Sequence, residues 1–322
     1  MLYPLKFQPI YQDYLWGGRN LAKLGKEIPE GKVAESWEIS CHPKGVNLVA
    51  NGVWAGTPLT ELISELGEKL LGTELYQARV SSFPLMVKLI DANERLSVQV
   101  HPDDQYALQC ESGELGKNEM WYILDANPDA ELVYGLRPGV TEEIFIQALA
   151  TGEIEQCLNY VPVAPGDVFE IPAGLVHAIG AGILLVEIQQ NSNLTYRIFD
   201  YNRIDQGGNP RELHLEKALQ VIDFRANDQH RSGGLGLNVE KKTLVSNTYF
   251  TVELEQINNE MIEKTDGSRF FIYVILEGTG TIWANEQLTT VTKGESILIP
   301  AGLGEYCWRG DFQTLKAYLP RN

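Results

Sequence analysis

Short runs rich in Val, Ile, Thr, Tyr and Phe, interrupted by 30 glycines and 15 prolines, make up most of the 322-residue chain. Runs of that length bounded by turn formers predict β-strands. Helical periodicity is confined to three stretches. Over 57–72 the start Thr57-Pro58-Leu59, with proline placed for the first turn, is followed by apolar residues at Leu62, Leu66 and Leu70. The other two run over about 138–160 and 213–222. The chain is therefore expected to be mainly β with a few helical insertions.

An internal repeat refines this expectation. Pro165-Gly-Asp-Val-Phe-Glu-Ile-Pro-Ala-Gly-Leu-Val-His177 matches Lys293-Gly-Glu-Ser-Ile-Leu-Ile-Pro-Ala-Gly-Leu-Gly-Glu305 at an offset of 128 residues. Upstream, Trp121-Tyr-Ile-Leu-Asp125 resembles Tyr273-Val-Ile-Leu-Glu277, at an offset of 151 when Tyr122 is laid on Tyr273. The first copy is longer, and the helical stretch 138–160 supplies the extra length. Two β-units of one design follow, over 1–240 and 241–322. The pattern of glycine turn, strand, Pro-Ala-Gly and His resembles the second motif of the cupin superfamily, which implies two small antiparallel jelly rolls. The second copy has Glu305 and Tyr306 where the first has His177 and Ala178, so it is expected to lack a metal site and to serve as a packing domain.

Composition narrows the partners. The chain carries 26 Lys+Arg against 43 Asp+Glu, a net charge of −17 with a pI near 4.7. Such a field repels nucleic acid and anionic membrane, and an anionic substrate requires a local cluster of cations in a cleft. Met1 to Trp16 shows no basic segment followed by an apolar core, and the longest apolar runs, such as Phe270 to Leu276, fall far short of the roughly 20 residues of a membrane span. A soluble, cytoplasmic protein is expected. Cys41, Cys110, Cys157 and Cys307 lie far apart without paired spacing, against both a disulfide framework and a thiolate metal site.

Three stretches of the first unit place polar residues where a strand should be apolar. Gln99 and His101 stand at i and i+2, on one strand face; Glu119 follows in Lys117-Asn118-Glu119, and His177 closes the Pro-Ala-Gly turn. Two imidazoles, a carboxylate and an amide oxygen make a mixed set suited to Zn²⁺, with Fe²⁺, Mn²⁺ and Co²⁺ as competitors. A buried histidine satisfied by its neighbours is the plain alternative for each. His42 in a turn, His214 at the head of a helix and His230 in a polar loop receive no functional role. Lys88, Glu187 and Arg197 sit in apolar strands, and Arg203 follows Arg197 by six residues. Burial of Glu187 would raise its pKa toward that of a useful base, whereas a structural ion pair explains the same residues equally well.

Together these stretches closely resemble the type I mannose-6-phosphate isomerases. The resemblance runs over about the first 210 residues. It is carried by Tyr11-Gln-Asp-Tyr-Leu-Trp-Gly-Gly18, Ala34-Glu-Ser-Trp-Glu38, Leu96-Ser-Val-Gln-Val-His-Pro-Asp103, Gly116-Lys-Asn-Glu-Met-Trp-Tyr122 and Gln190-Asn-Ser-Asn-Leu-Thr-Tyr-Arg197. It implies one Zn²⁺ per chain held by Gln99, His101, Glu119 and His177. It also implies a sugar-phosphate pocket lined by Ser97, Lys88, Lys117, Glu187 and Arg197. The reaction implied is interconversion of mannose 6-phosphate and fructose 6-phosphate through a cis-enediol. On that reading Glu187 takes part in proton transfer, Arg197 and Lys117 act beside it, and Lys88, Ser97 and Arg203 hold the phosphate. Longer eukaryotic members follow the arginine with an Ala-Gly-x-Thr-x-Lys run; Ile-Phe-Asp-Tyr-Asn-Arg203 stands here instead, with Arg203 in the role of the lysine. A different metal-dependent cupin enzyme, such as an iron oxygenase or sugar epimerase, and a sugar-phosphate sensor with a decayed metal site are the competing classes. Oligomeric state is left open.

Overall fold

The computed structural model describes residues 1–77, 83–204, 208–225, 231–232 and 240–321. Strands Leu5–Lys6 (β1), Ile10–Gln12 (β2), Glu35–Ile39 (β3), Cys41–His42 (β4) and Gly45–Val46 (β5) lead into helices Leu59–Leu66 (α1), Glu68–Leu71 (α2) and Thr73–Gln77 (α3). Next come Leu85–Ala92 (β6), Val98–Val100 (β7), helix Asp104–Cys110 (α4), Glu119–Ala126 (β8) and Glu131–Leu136 (β9). Helix Glu142–Thr151 (α5) precedes Leu158–Pro162 (β10), Val168–Ile171 (β11), His177–Ile179 (β12), Ile183–Gln190 (β13) and Tyr196–Phe199 (β14). Helix Leu215–Val221 (α6) and Arg231–Ser232 (β15) end the first unit. The second unit contains Lys241–Ser246 (β16), Thr251–Ile257 (β17), Glu260–Lys264 (β18), Phe271–Ala284 (β19), Gln287–Thr292 (β20), Ser296–Ile299 (β21) and Glu305–Tyr318 (β22).

Short, turn-bounded strands fold the first unit into two antiparallel sheets, of order β15-β11-β8-β13-β6-β3-β2 and β10-β9-β12-β7-β14, and β3, β6 and β13 are buried on both faces. Their inner faces enclose Trp16, Trp121, Ile123, Tyr134, Phe169 and Leu185, which gives the expected jelly roll. The second unit repeats it with fewer, longer strands. Its sheet runs β1-β21-β19-β22-β17-β16, with β18 on β22 and β20 on β19. β19 and β22 each serve both layers by bending, β19 at Gly278. There φ is +84°, and a Cβ would lie 2.4 Å from the Asp311 carbonyl oxygen, so glycine is required. Tyr273, Ile275, Ile282, Ile297, Trp308 and Phe312 fill the space between the layers.

The core strands of the two units correspond, with one correction to the repeat. Trp121 pairs with Phe169 as Tyr273 pairs with Ile297, so Trp121, not Tyr122, is equivalent to Tyr273, and the offset is 152 (273 − 121). A one-residue slip exchanges the two faces of a strand. Tyr122 faces the core between the units, whereas Tyr273 and Trp121 face the interiors of their own units. The helical insertion is placed by the same comparison. Asn285 and Glu286, both at positive φ, turn β19 into β20, and in the first unit 137–157, with α5 and a 3-10 turn at Ile154–Cys157, connects the equivalent β9 and β10.

The three predicted helical stretches are present, trimmed at their ends. Pro58 stands just before α1 without a capping hydrogen bond, Gly67 at φ +48° divides 57–72 into separate helices, and 158–160 is strand because it must pair with β9. Thr141 caps α5 by accepting from the Ile144 amide, and Gly152 ends it in the left-handed conformation. α4 was not foreseen, although Asp103 caps it by accepting from the Tyr106 amide at 2.8 Å.

Between the units lies a continuous apolar layer. Val87, Val186 and Ile188 of the first unit share it with Phe250, Ile272 and Leu315 of the second, and the Phe83 and Phe270 rings stack at 4.7 Å. β1 also crosses over to pair with β21. Each of these side chains contributes roughly 1.5–3 kcal/mol by burial. Removal of residues 241–322 is therefore expected to give insoluble protein; a soluble, active truncation in a fractionation and turnover assay would overturn this.

Candidate active site

The site lies between two rows of side chains that face each other across the first jelly roll. One row crosses β9, β12, β7 and β14 as Tyr134, His177, Gln99 and Arg197, each directly opposite the next in register. The other crosses β11, β8, β13, β6 and β3 as Phe169, Trp121, Glu187, Lys88 and Trp37. Because opposite residues of antiparallel strands share a face, register alone brings these side chains together.

His101, just beyond β7, Glu119 at the start of β8 and His177 at the start of β12 are all buried, and their ligand atoms lie within 4.8 Å of one another. His101 Nε2 is 3.4 Å and His177 Nε2 3.8 Å from the Glu119 carboxylate. His177 Nδ1 donates to the Leu175 carbonyl at 2.9 Å, which turns the Nε2 lone pair inward. Burial, helped by the neighbouring Lys117 ammonium, pushes the His101 imidazole down to about 3, so it is neutral and able to ligate. Burial alone would raise the Glu119 carboxyl, but Lys117 and His101 outweigh it and hold the group well below the usual range. Glu119 forms an ion pair with Lys117, yet neither of its oxygens meets a properly angled hydrogen-bond donor, and His101 Nδ1 has none either. Buried polar atoms left in that state cost about 1–3 kcal/mol each, and a divalent cation among them would satisfy the carboxylate. The donor set thus fits a metal. The Gln99 amide nitrogen lies beside this set, 3.3 Å from His177 Nε2 and on the same row.

On the facing sheet, Glu187 is held by Lys88, 3.1 Å from Oε1, and by the Trp121 indole N–H, which donates to Oε2 at 3.0 Å. Lys88 lies 3.7 Å from Glu35, which accepts from the Trp37 indole at 2.6 Å. Burial and the Glu119 charge raise the Glu187 carboxyl against the pull of Lys88. Burial alone would lower the Lys88 ammonium, but Glu187 and Glu35 reverse that and raise it.

A cavity of about 380 Å³ opens between the rows. Lys44, Lys88, Lys117, Arg197, Arg211 and Lys217 line it, against the carboxylates Glu35, Glu111 and Glu187. This is the local positive charge that the acidic chain as a whole lacks. Arg197 donates to Ser97 Oγ at 3.2 Å and to the Glu212 carbonyl at 2.8 Å.

Family models match both parts of the chain: the type I phosphomannose isomerase catalytic domain over residues 4–147, and the mannose-6-phosphate isomerase cupin domain over 240–319. Mannose-6-phosphate isomerase ManA of Bacillus subtilis strain 168 is 39% identical over 98% of this chain and 99% of its own. The mannose-6-phosphate isomerase of Streptococcus mutans is 38% identical over 99% of each. A crystal structure of the Bacillus subtilis mannose 6-phosphate isomerase superposes with a TM-score of 0.88 at 34% identity, covering 98% of this chain and 99% of that one. The chain belongs to the type I phosphomannose isomerase family.

Of the residues expected to serve a phosphomannose isomerase, Gln99, His101, Glu119 and His177 converge on one point, and Lys88, Ser97, Lys117, Glu187 and Arg197 line the cavity beside them. Arg203 is placed elsewhere. It pairs with Asp200, donates to the Arg95 carbonyl at 2.5 Å and packs over Tyr201, and Arg211 occupies the cavity wall instead. His214 also differs from the expectation: its side chain makes no cap, lines the cavity, and accepts from the Arg197 amide at 3.2 Å. His42 is structural, between Glu114 and the Lys44 amide, and His230 lies outside the described residues. Lys44 and Arg211 went unnoticed because each sits in an exposed-looking polar stretch, where only the fold reveals what it faces. No helix among the described residues is long and apolar enough to cross a membrane.

Proposed function

We propose that the chain is a zinc-dependent isomerase that interconverts mannose 6-phosphate and fructose 6-phosphate in the cytoplasm, with catalysis in the first unit (1–240) and a supporting, metal-free second unit (241–322). The observation that carries this reading is the opposition of a buried His101–Glu119–His177 set to the buried Glu187–Lys88 pair across one cation-lined cavity. His101, Glu119, His177 and the Gln99 amide would hold the ion. Zn²⁺ bound there supplies Lewis acidity that stabilises negative charge developing on a substrate oxygen.

The remaining chemistry belongs to the side chains. Glu187, raised by burial, accepts the proton from C2 at a carboxylate oxygen and returns it to C1 of the cis-enediol. Lys88 keeps that carboxylate available while confining it to one position. The buried Lys117 and the half-buried Arg197 oppose the charge on the enediol oxygens as a hydroxyl proton moves between O2 and O1. The phosphate is held at the cavity wall by Ser97 and Arg211, the latter taking the role expected of Arg203.

Turnover of mannose 6-phosphate by purified protein is expected to disappear on chelation and to return on addition of zinc. No turnover from folded, zinc-loaded protein would overturn the proposal in favour of a sensor or another cupin chemistry. Arg211→Met is expected to raise KM roughly tenfold to a hundredfold with little change in kcat, the loss of a charge-assisted contact shared by ground and transition states. Arg203→Met is expected to leave KM near the wild-type value. Steady-state kinetics of the two variants separate the assignments.

A further inference from the structure

The two jelly rolls treat the same sheet face differently. In the first unit, Val98, Val100, Val133 and Ala178 point outward from β7, β9 and β12 and are buried beneath α5 and α6, chiefly by Phe145 and Ala218. In the second unit the equivalent strands are β18, β22, β19 and β20, and among the described residues no helix lies over them. They nevertheless carry an outward apolar row. Ile262, Cys307, Trp283 and Leu288 stand directly opposite one another across the four strands. Ile262 is 62%, Trp283 48% and Leu288 59% exposed, and Cys307 is half-buried. A contiguous exposed row centred on a tryptophan marks an interaction surface.

The charges beside the row select the partner. Glu260 and Arg309 flank it on one side, joined at 2.7 Å, and Lys264 and Glu305 flank it on the other. A two-fold axis along the row lays each apolar side chain on its own counterpart and exchanges the flanks. Glu260 then meets Lys264 of the partner subunit, and Arg309 meets Glu305 of the partner subunit. A ligand surface of a single sign would be repelled by part of each flank, whereas a second copy is matched on both. We infer that this face is an isologous dimer interface between two copies of the chain. Four strands at about 4.8 Å spacing and a depth of about 14 Å between the flanks give a face of roughly 300 Å², below the ~800 Å² per partner of a standard interface, so the dimer dissociates on dilution.

Sedimentation velocity over a concentration series is expected to show a monomer–dimer equilibrium, its dissociation constant raised at least tenfold by Trp283→Glu. Lys264→Glu is expected to weaken it by setting like charges face to face, and Lys242→Glu, an equal charge change on the other layer, is expected to leave it unaltered. In a Cys110→Ser background, a short bis-maleimide, long enough to span two packed sheets about 10 Å apart, is expected to trap a cross-linked dimer that Cys307→Ser abolishes; this arm leaves Trp283 in place and decides the matter should Trp283→Glu fail to fold. A monomer at every concentration would overturn the inference, as would a dimer indifferent to Trp283→Glu that forms no Cys307 cross-link.

Discussion

His101→Ala protein, loaded with zinc and then desalted, is expected to hold little metal and to turn over roughly 10³-fold more slowly than the wild type. The imidazole is one of two neutral nitrogen donors in the set, and its environment keeps it deprotonated across the working pH range. Its loss leaves Glu119, His177 and the weakly donating Gln99 amide, a set too poor for tight binding. Lys117 already lies 3.3 Å from His101 Nε2 and is paired with Glu119. In the variant the ammonium is free to neutralise the carboxylate in place of the metal, so the fold survives while the ion does not. Metal content by mass spectrometry, read beside turnover and a thermal melt, checks both halves. Stoichiometric zinc with wild-type turnover would remove His101 from the site.

That site was legible because its parts are short-range. An i, i+2 pair on a strand and a histidine closing a repeated turn are visible in any window that contains them, and the repeat itself announced two β-units. The opposite wall was visible only as anomalies. Lys88 and Glu187 stood out as charges in apolar strands, but what each charge meets depends on the register of β3, β6, β8 and β13, which no local pattern states. Register also explains the repeat offset. Tyr122 and Tyr273 invite alignment because they are identical, yet the pleat makes Trp121 the equivalent residue, and it is Trp121 that reaches Glu187. The placing of Arg203 away from the cavity, with Arg211 on its wall, is equally non-local. Both arginines pair with Asp200, and only the path of the chain after β14 decides which one borders the cavity.

Lys88→Met is expected to lower stability at neutral pH by about 3–5 kcal/mol and to abolish turnover, because removing one partner of a buried pair strands the other. Lys88 and Glu187 are both buried, and Lys88 is the cation nearest both Glu187 and Glu35. Without it, burial and the Glu119 charge act on Glu187 unopposed by Lys88, raising its folded pKa further above the unfolded value of about 4.3. The sign follows. Above pH 4.3 the unfolded chain releases this proton more readily than the folded one, so the variant loses stability relative to the wild type as pH rises and recovers as pH falls toward 4.3. Urea unfolding of metal-free protein at pH 5 and pH 7 measures that difference. Lys88→Met/Glu187→Gln removes the stranded charge and is expected to regain most of the stability at pH 7 while remaining inactive. That separation distinguishes a carboxylate tolerated for its chemistry from one retained for the fold. A deficit equal at both pH values, or a double variant no more stable than the single, would show that Lys88 acts through packing and not by neutralising Glu187.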